Sequence, residues 1–231
     1  MKDLPTMSKT PLCYAPFIGM FSSENGYAPC CVIRDRSNAQ TPEEYWTSKQ
    51  LVDLRTQMMD KTLPLACSVC KRNIMRGLNS DLSYWKHQYA TNPVSINIES
   101  GNETNHPLVM DFRPGNRCNL KCRMCGPMSS DQIEREIEQN AELRKFYGQV
   151  SVGQFDSEAT IQYMKDKKFD KVKVLGGEPS LDPIVVEFLQ SLSQNTKLEI
   201  TTNATSMNQP FMSAIKRFNN LHLTFSVDAT G

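Results

Sequence analysis

In LVMDFRPGNRCNLKCRMCGP, residues 108–127, an alternating run gives way within a few residues to three cysteines, Cys118, Cys122 and Cys125. LVMDFR alternates in the manner of a strand. The residues after the thiols, SSDQIEREIEQNAELRKF (129–146), open on a serine cap, place Ile133 and Ile137 one turn apart and stop near Gly148, the pattern of a helix. The thiols therefore lie on a strand-to-helix loop. Working outward, KVKVL (171–175), KLEITTN (197–203) and LHLTFSVD (221–228) read as strands, and DPIVVEFLQSL (182–192) and PFMSAIKRF (210–218) as helices. This repetition predicts an α/β fold with a parallel sheet or barrel.

Alternation assigns the faces. Leu198, Ile200 and Thr202 oppose Glu199, Thr201 and Asn203; Leu221, Leu223, Phe225 and Val227 oppose His222, Thr224, Ser226 and Asp228. With helices on the apolar face, the polar face lines an interior. Active sites of parallel barrels sit at the carboxyl ends of strands. Here those ends carry Asp111 and Arg113, Gly176 to Pro179, Asn203, and Ser226 and Asp228, residue types equally at home in turns and caps.

The bulk numbers bound the possibilities. A chain of 231 residues, 39% hydrophobic and 22% charged, is long enough for one or two domains with a real core. A net charge of +1 removes the general electrostatic case for a nucleic-acid or anionic-membrane partner. The opening MKDLPTMSKTPL lacks the apolar stretch of a signal peptide, and no run approaches the roughly 18 to 20 apolar residues of a membrane span. The expectation is a soluble cytoplasmic protein without nucleic-acid or membrane partners, whose clustered cysteines hold metal rather than form disulfides.

Three clustered thiols without a fourth are informative. Structural zinc closes its sphere with four ligands, so zinc at this loop would have to borrow one, His106 or His222 for example. A four-iron cubane takes one thiolate per iron, and three cysteines leave one iron open. CNLKCRMC (118–125) resembles the signature of the radical S-adenosylmethionine (radical SAM) enzymes; GGEP (176–179) after the next strand, TTN (201–203) and SVD (226–228) are similar to that family's later strand ends. The resemblance covers residues 108–231. It implies a partial parallel (β/α) barrel, a 4Fe-4S cluster on Cys118, Cys122 and Cys125, and S-adenosylmethionine chelated at the open iron. Reductive cleavage of the sulfonium would yield methionine and a 5′-deoxyadenosyl radical that abstracts a substrate hydrogen. By the same resemblance Gly176, Gly177 and Glu178 would meet the methionine moiety, Asn203 and Ser226 the ribose or carboxylate, and Met124 would stand where the family usually has an aromatic beside the adenine. Asp111, Arg113 and Asp228 are candidates for substrate or cofactor contacts.

The front of the chain raises a second cluster. SSENGYAPCC (22–31) reads as a hairpin about Asn25-Gly26, bringing Cys30 and Cys31 near Cys13. Trp46, Leu51, Leu54 and Met58 keep helical spacing, so EEYWTSKQLVDLR predicts an amphipathic helix with Trp46 in the core. The series Cys13, hairpin, Cys30 or Cys31, helix, Cys67-x-x-Cys70 resembles the SPASM/twitch module of radical SAM enzymes, although such modules usually follow the barrel. It implies a small α+β domain over residues 1–88 holding an auxiliary 4Fe-4S cluster, with zinc as the alternative metal. Neighbouring strand residues point oppositely, so one of Cys30 and Cys31 is the ligand, and Cys30 is favoured. Residues 89–107, rich in Asn, Ser, Thr and Pro, read as a linker with a short strand at 94–98.

The family's barrel has about six strands, and four are read here before Gly231, which suggests a fragment or a truncated form. The resemblance implies an enzyme, an oxidoreductase or a modifier of peptides, proteins or small molecules, fed by a reducing partner such as flavodoxin or ferredoxin. The alternative is a non-catalytic iron-sulfur or zinc protein with an inert barrel.

Overall fold

The computed structural model describes residues 10–90, 94–147 and 157–227. The chain enters through α1 (Ala15–Ile18), which runs straight into a hairpin of β1 (Gly19–Ser23) and β2 (Gly26–Ala28). Gly26 has φ +96°, the left-handed conformation this turn needs, and a side chain there would also collide with the Ser37 carbonyl. Two helices follow, α2 (Pro42–Trp46) and α3 (Lys49–Met59), where one was expected. The break has a local cause: Ser48 is extended, and its Oγ accepts a hydrogen bond from the Leu51 N–H at 3.3 Å, capping α3 afresh. Trp46, Leu51 and Met58 are buried as their spacing predicts.

After α4 (Ser68–Met75) and α5 (Asp81–Ala90), a two-stranded ribbon of β3 (Ile96–Asn97) and β4 (Gly101–Asn102) occupies the predicted linker. This segment is tied to the body of the protein. Asn102 Nδ2 donates to the carbonyls of Phe17 (2.7 Å) and His106 (2.9 Å), Trp46 Nε1 to Ser100 O (3.0 Å), and buried Arg55 to Pro16 O (2.8 Å) and Glu99 O (2.9 Å).

The second half of the chain supplies β5 (Val109–Arg113), α6 (Asp131–Gln139), α7 (Ala141–Tyr147), α8 (Ser157–Lys165), β6 (Lys171–Val174), α9 (Pro183–Ser191), β7 (Lys197–Thr202), α10 (Gln209–Ile215) and β8 (Leu221–Phe225). The helix expected over 129–146 is divided at Asn140, which is extended and whose Oδ1 accepts from Glu142 N at 2.9 Å. Its expected stop at Gly148 lies outside the described residues, as does Asp228, and α8 has no counterpart in the reading of the sequence. Asp182 and Asn208 cap α9 and α10 through their side-chain oxygens, which is why those helices begin where they do.

The strands form one sheet in the order β2-β1-β5-β6-β7-β8, parallel throughout except for the β1–β2 pair. Residues 1–88, read from the sequence as a unit of their own, thus contribute its first two strands. All five residues of β1 are buried, so the strand belongs inside a covered sheet. On one face Met110, Phe112, Val172, Val174, Leu198 and Ile200 pack against α8, α9 and α10 in a core that also takes in Tyr27, Tyr45 and Trp46 from the front of the chain. Full burial of each such side chain contributes about 1.5–3 kcal/mol, so this face holds the strands in place. The opposite face carries Asp111, Lys173 and Glu199 in one cross-strand row, the polar interior that the alternation predicts. Among the described residues, no helix is long and apolar enough to cross a membrane.

Candidate metal centre

The cysteine loop is built by hydrogen bonds to its own flanks. Asp131, at the start of α6, accepts the Cys118 N–H on Oδ1 (2.9 Å) and donates its own N–H to Asn116 O (2.8 Å). Ser130 Oγ donates to Leu120 O (2.7 Å), and Asn116 Nδ2 to Pro127 O and Glu134 Oε2, both at 2.8 Å. Ser130 therefore spends its hydroxyl on the loop and makes no side-chain cap on α6. Across from it, Gly177 N donates to Gly115 O (3.0 Å) and Glu178 N to Arg117 O (2.7 Å), so the segment after β6 docks backbone to backbone on the loop. That docking requires glycine. A Cβ on Gly177 would stand 2.5 Å from the Arg117 carbonyl carbon and 2.6 Å from that of Asn116, and Gly176 has φ +137°.

A cavity of about 410 Å³ opens at the carboxyl ends of the strands, the size of a small-molecule site. Cys118, Cys122 and Cys125 line it together with Gly176, Gly177, Asn203 and Ser226, residues from four separate segments of the sequence. Asn203 Nδ2 reaches Cys118 Sγ (3.9 Å) and Asn119 Oδ1 (3.1 Å), while its Oδ1 accepts from Thr205 N (2.9 Å) and Oγ1 (2.7 Å). Two residues named from the resemblance lie elsewhere. Met124 is 88% exposed and away from the cavity, whereas Met128 lines it. Glu178 is buried and turned inward: Oε1 accepts from Ser180 N (3.1 Å), Ser180 Oγ (2.7 Å) and Thr202 Oγ1 (2.6 Å), and Oε2 from Asn203 N (2.7 Å). Four donors leave this carboxylate joining the end of β6 to the end of β7.

The far wall comes from the front hairpin: Ser23, Glu24, Asn25 and, further on, Arg36. Reading the sequence misses these residues, because no local signal tells that β1 lies beside β5. Burial, with nearby Glu134 as the lesser cause, raises the Glu24 carboxyl to about 7. Arg36 and Arg113 both stack on Phe21, at 4.0 and 4.9 Å from its centroid, and Arg113 holds Asp111 through Nε (2.9 Å) and Nη2 (3.0 Å). Of the histidines considered as borrowed zinc ligands, His106 bonds the Pro107 carbonyl (2.8 Å) and His222 is exposed; neither lines the cavity.

The front thiols gather in a second place. Buried Cys13 and Cys70 share an apolar cluster against which Cys30 and Cys67 pack, and none of the five front cysteines is in a disulfide. Backbone N–H groups lower the pKa of three of these thiols against the burial that raises it: Ala15 for Cys13, Val32 and Ile33 for Cys30, and Asp81 and Leu82, at the start of α5, for Cys70. Burial pushes the thiol of Cys13 up to about 12 and that of Cys67 to about 11, with Cys70 adding to both. Cys30 feels Cys13, whereas Cys31 faces Asp111, Asp81, Arg113 and Lys173 on the sheet's polar side.

Among the described residues, no three His, Cys, Asp or Glu side chains form a group that could hold a metal ion. A single zinc ion draws its thiolates to about 2.3 Å from one point. A cubane places each thiolate on a different iron, so its ligands stand further apart. Three thiols on one self-bonded loop, around a cavity floored by two obligatory glycines, are a donor set that fits a cluster with one open iron.

Fold and site together define a parallel α/β protein with a three-thiolate loop after a sheet strand and a ligand-sized cavity at the strand ends. The family model described as the Radical SAM superfamily matches residues 112–231, just over half of the chain, and the chain belongs to that superfamily. No curated protein and no solved structure matches it.

Proposed function

We propose that this chain is a radical SAM enzyme in which Cys118, Cys122 and Cys125 hold the S-adenosylmethionine-binding 4Fe-4S cluster, and Cys13, Cys30, Cys67 and Cys70 an auxiliary one. The observation that carries the reading is the convergence of the three loop cysteines with Gly176, Gly177, Asn203 and Ser226 on one cavity. When bound, the cluster and S-adenosylmethionine supply one-electron cleavage of the sulfonium and a 5′-deoxyadenosyl radical. The chain's own part is positional. Asn203 sets the amide beside Cys118, Gly176 and Gly177 leave the main chain bare along the floor, and Asp131 pins the first cysteine's amide. Met128 offers the apolar surface that Met124, directed to solvent, does not.

The auxiliary site rests on the N–H groups that act on Cys13, Cys30 and Cys70, since hydrogen bonds to the sulfurs tune cluster potentials. The front residues 13–70 then act as a twitch-like module merged into the barrel sheet, passing an electron to or from a peptide or small-molecule substrate. A flavodoxin or ferredoxin serves as the external reductant.

Anaerobic reconstitution with iron and sulfide, followed by dithionite and S-adenosylmethionine, tests this directly. The expected outcome is about eight irons per chain, one thiolate per iron with one iron left open, and release of 5′-deoxyadenosine. Iron binding with S-adenosylmethionine left intact would make the chain a non-catalytic electron carrier. Zinc in the front site would remove the auxiliary cluster alone.

A further inference from the structure

A second cavity, of about 420 Å³, lies under the polar face of the sheet, walled on its far side by α5. Its charges are arranged unevenly. In the cross-strand row Asp111–Lys173–Glu199, both carboxylates are ion-paired with other cations and not with the lysine between them. Asp111 is held bidentately by Arg113, and Glu199 by Lys171 (2.8 Å) and Lys197 (3.2 Å). Lys171 is further occupied by the Tyr84 hydroxyl at 3.0 Å. Among the described residues the Lys173 side chain has neither a hydrogen bond nor an ion pair, although it lines the cavity. Asp81, in the first turn of α5, lines the same cavity from the opposite wall, and its carboxylate is likewise without a bonded partner. Asp81 senses the charge of Lys173, but the two stand beyond ion-pair distance. Phe21, Trp85 and Val109 give the cavity an apolar wall, and Cys30 and Cys31 line it as well.

We infer that this cavity receives a zwitterion of the α-amino-acid class, its carboxylate on Lys173, its ammonium on Asp81 and an apolar side chain against Phe21 and Trp85. An uncommitted cation and an uncommitted anion on opposite walls of one cavity are complementary to a ligand with the opposite pair, and a half-buried charge is stabilised by acquiring a partner. The inference names the substrate class for the reaction proposed above and rests on that reading only for the cavity's being the substrate side.

The test is equilibrium dialysis of the anaerobically prepared, metal-loaded chain against the twenty free L-α-amino acids, read by mass spectrometry. The retained amino acid is then compared with its amide, which lacks the carboxylate, and its N-acetyl form, which lacks the ammonium. Both derivatives should bind at least about tenfold more weakly, one lost charge-assisted contact. Lys173→Met should weaken the amino acid by a similar factor and leave its amide unchanged, Lys173→Arg should restore retention, and Asp81→Asn should weaken the amino acid and leave the N-acetyl form unchanged. A misfolded variant would not reproduce that crossed pattern. Retention of none of the twenty, equal retention of the amino acid and both derivatives, or indifference to Lys173→Met overturns the inference. Dialysis needs no S-adenosylmethionine cleavage, so a chain that makes 5′-deoxyadenosine but ignores amino acids refutes this inference alone. One that retains an amino acid but makes no 5′-deoxyadenosine refutes the reaction alone.

Discussion

Replacing Gly177 by alanine should dismantle the cysteine loop from the side opposite its thiols. The added Cβ would stand 2.5 Å from the Arg117 carbonyl carbon and 2.6 Å from that of Asn116, and nearer still to the Arg117 oxygen. These are backbone atoms one and two residues before Cys118, with no rotamer to relieve the clash. Either the loop or the segment after β6 must retreat. Retreat breaks the bonds from Gly177 N to Gly115 O (3.0 Å) and from Glu178 N to Arg117 O (2.7 Å). At about 1 kcal/mol for each backbone bond and about 1–3 kcal/mol for overpacking, the destabilisation comes to about 3–5 kcal/mol. Anaerobic denaturant melts of the wild type and Gly177→Ala should show that loss, and iron analysis should show depletion of the loop cluster with the front cluster retained. Gly126→Ala is the control: it lies in the same loop, and a Cβ there would meet nothing within 4 Å beyond its own chain neighbours, so stability should move by less than about 0.5 kcal/mol. If Gly177→Ala matched that control in melt and iron content, the contact between the glycine pair and the loop would not be what shapes the site.

Removing the Glu178 carboxylate by Glu178→Ala orphans the donors of Ser180, Thr202 and Asn203 and should destabilise the chain by about 3–5 kcal/mol; an unchanged melting curve would show the four-donor knot to be unimportant. Because the Glu24 carboxyl is raised to about 7, the folded chain holds a proton there that the unfolded chain has lost above about 4.5, so stability falls as pH rises through that window. Glu24→Gln removes the penalty and should be more stable than wild type by about 1–3 kcal/mol at pH 8, with the difference fading by pH 4; urea melts of the metal-free chain at the two pH values check the sign. For the auxiliary site proposed above, Cys30→Ala should lower bound iron by about four per chain, one cubane's worth, and Cys31→Ala should leave it unchanged, since the two thiols face different surroundings. The reverse outcome would exchange their roles.

Much of the parallel sheet was legible in the chain itself. Period-two alternation in 108–113, 171–175 and 197–203 marks strands, because a pleated backbone sends alternate side chains to opposite faces. The three-thiol spacing was legible too, as it is a property of a single loop. Breaks at Ser48 and Asn140 were hidden because apolar spacing runs across them and only the competing side-chain acceptor stops the helix. Glu178 looked like a ligand-facing carboxylate until its four donors were seen, and Met124 like an adenine neighbour until its exposure was.

What the sequence by itself determined is therefore local: the order of strands and helices, the three-thiol loop, and the glycine pair that must follow β6. The tertiary structure alone decided that β1 pairs with β5, which turns a front hairpin into the far wall of the cysteine cavity and places Cys31 over the polar face. Strand pairing across some ninety residues depends on which buried faces meet in the finished sheet, and no short stretch of chain encodes that choice.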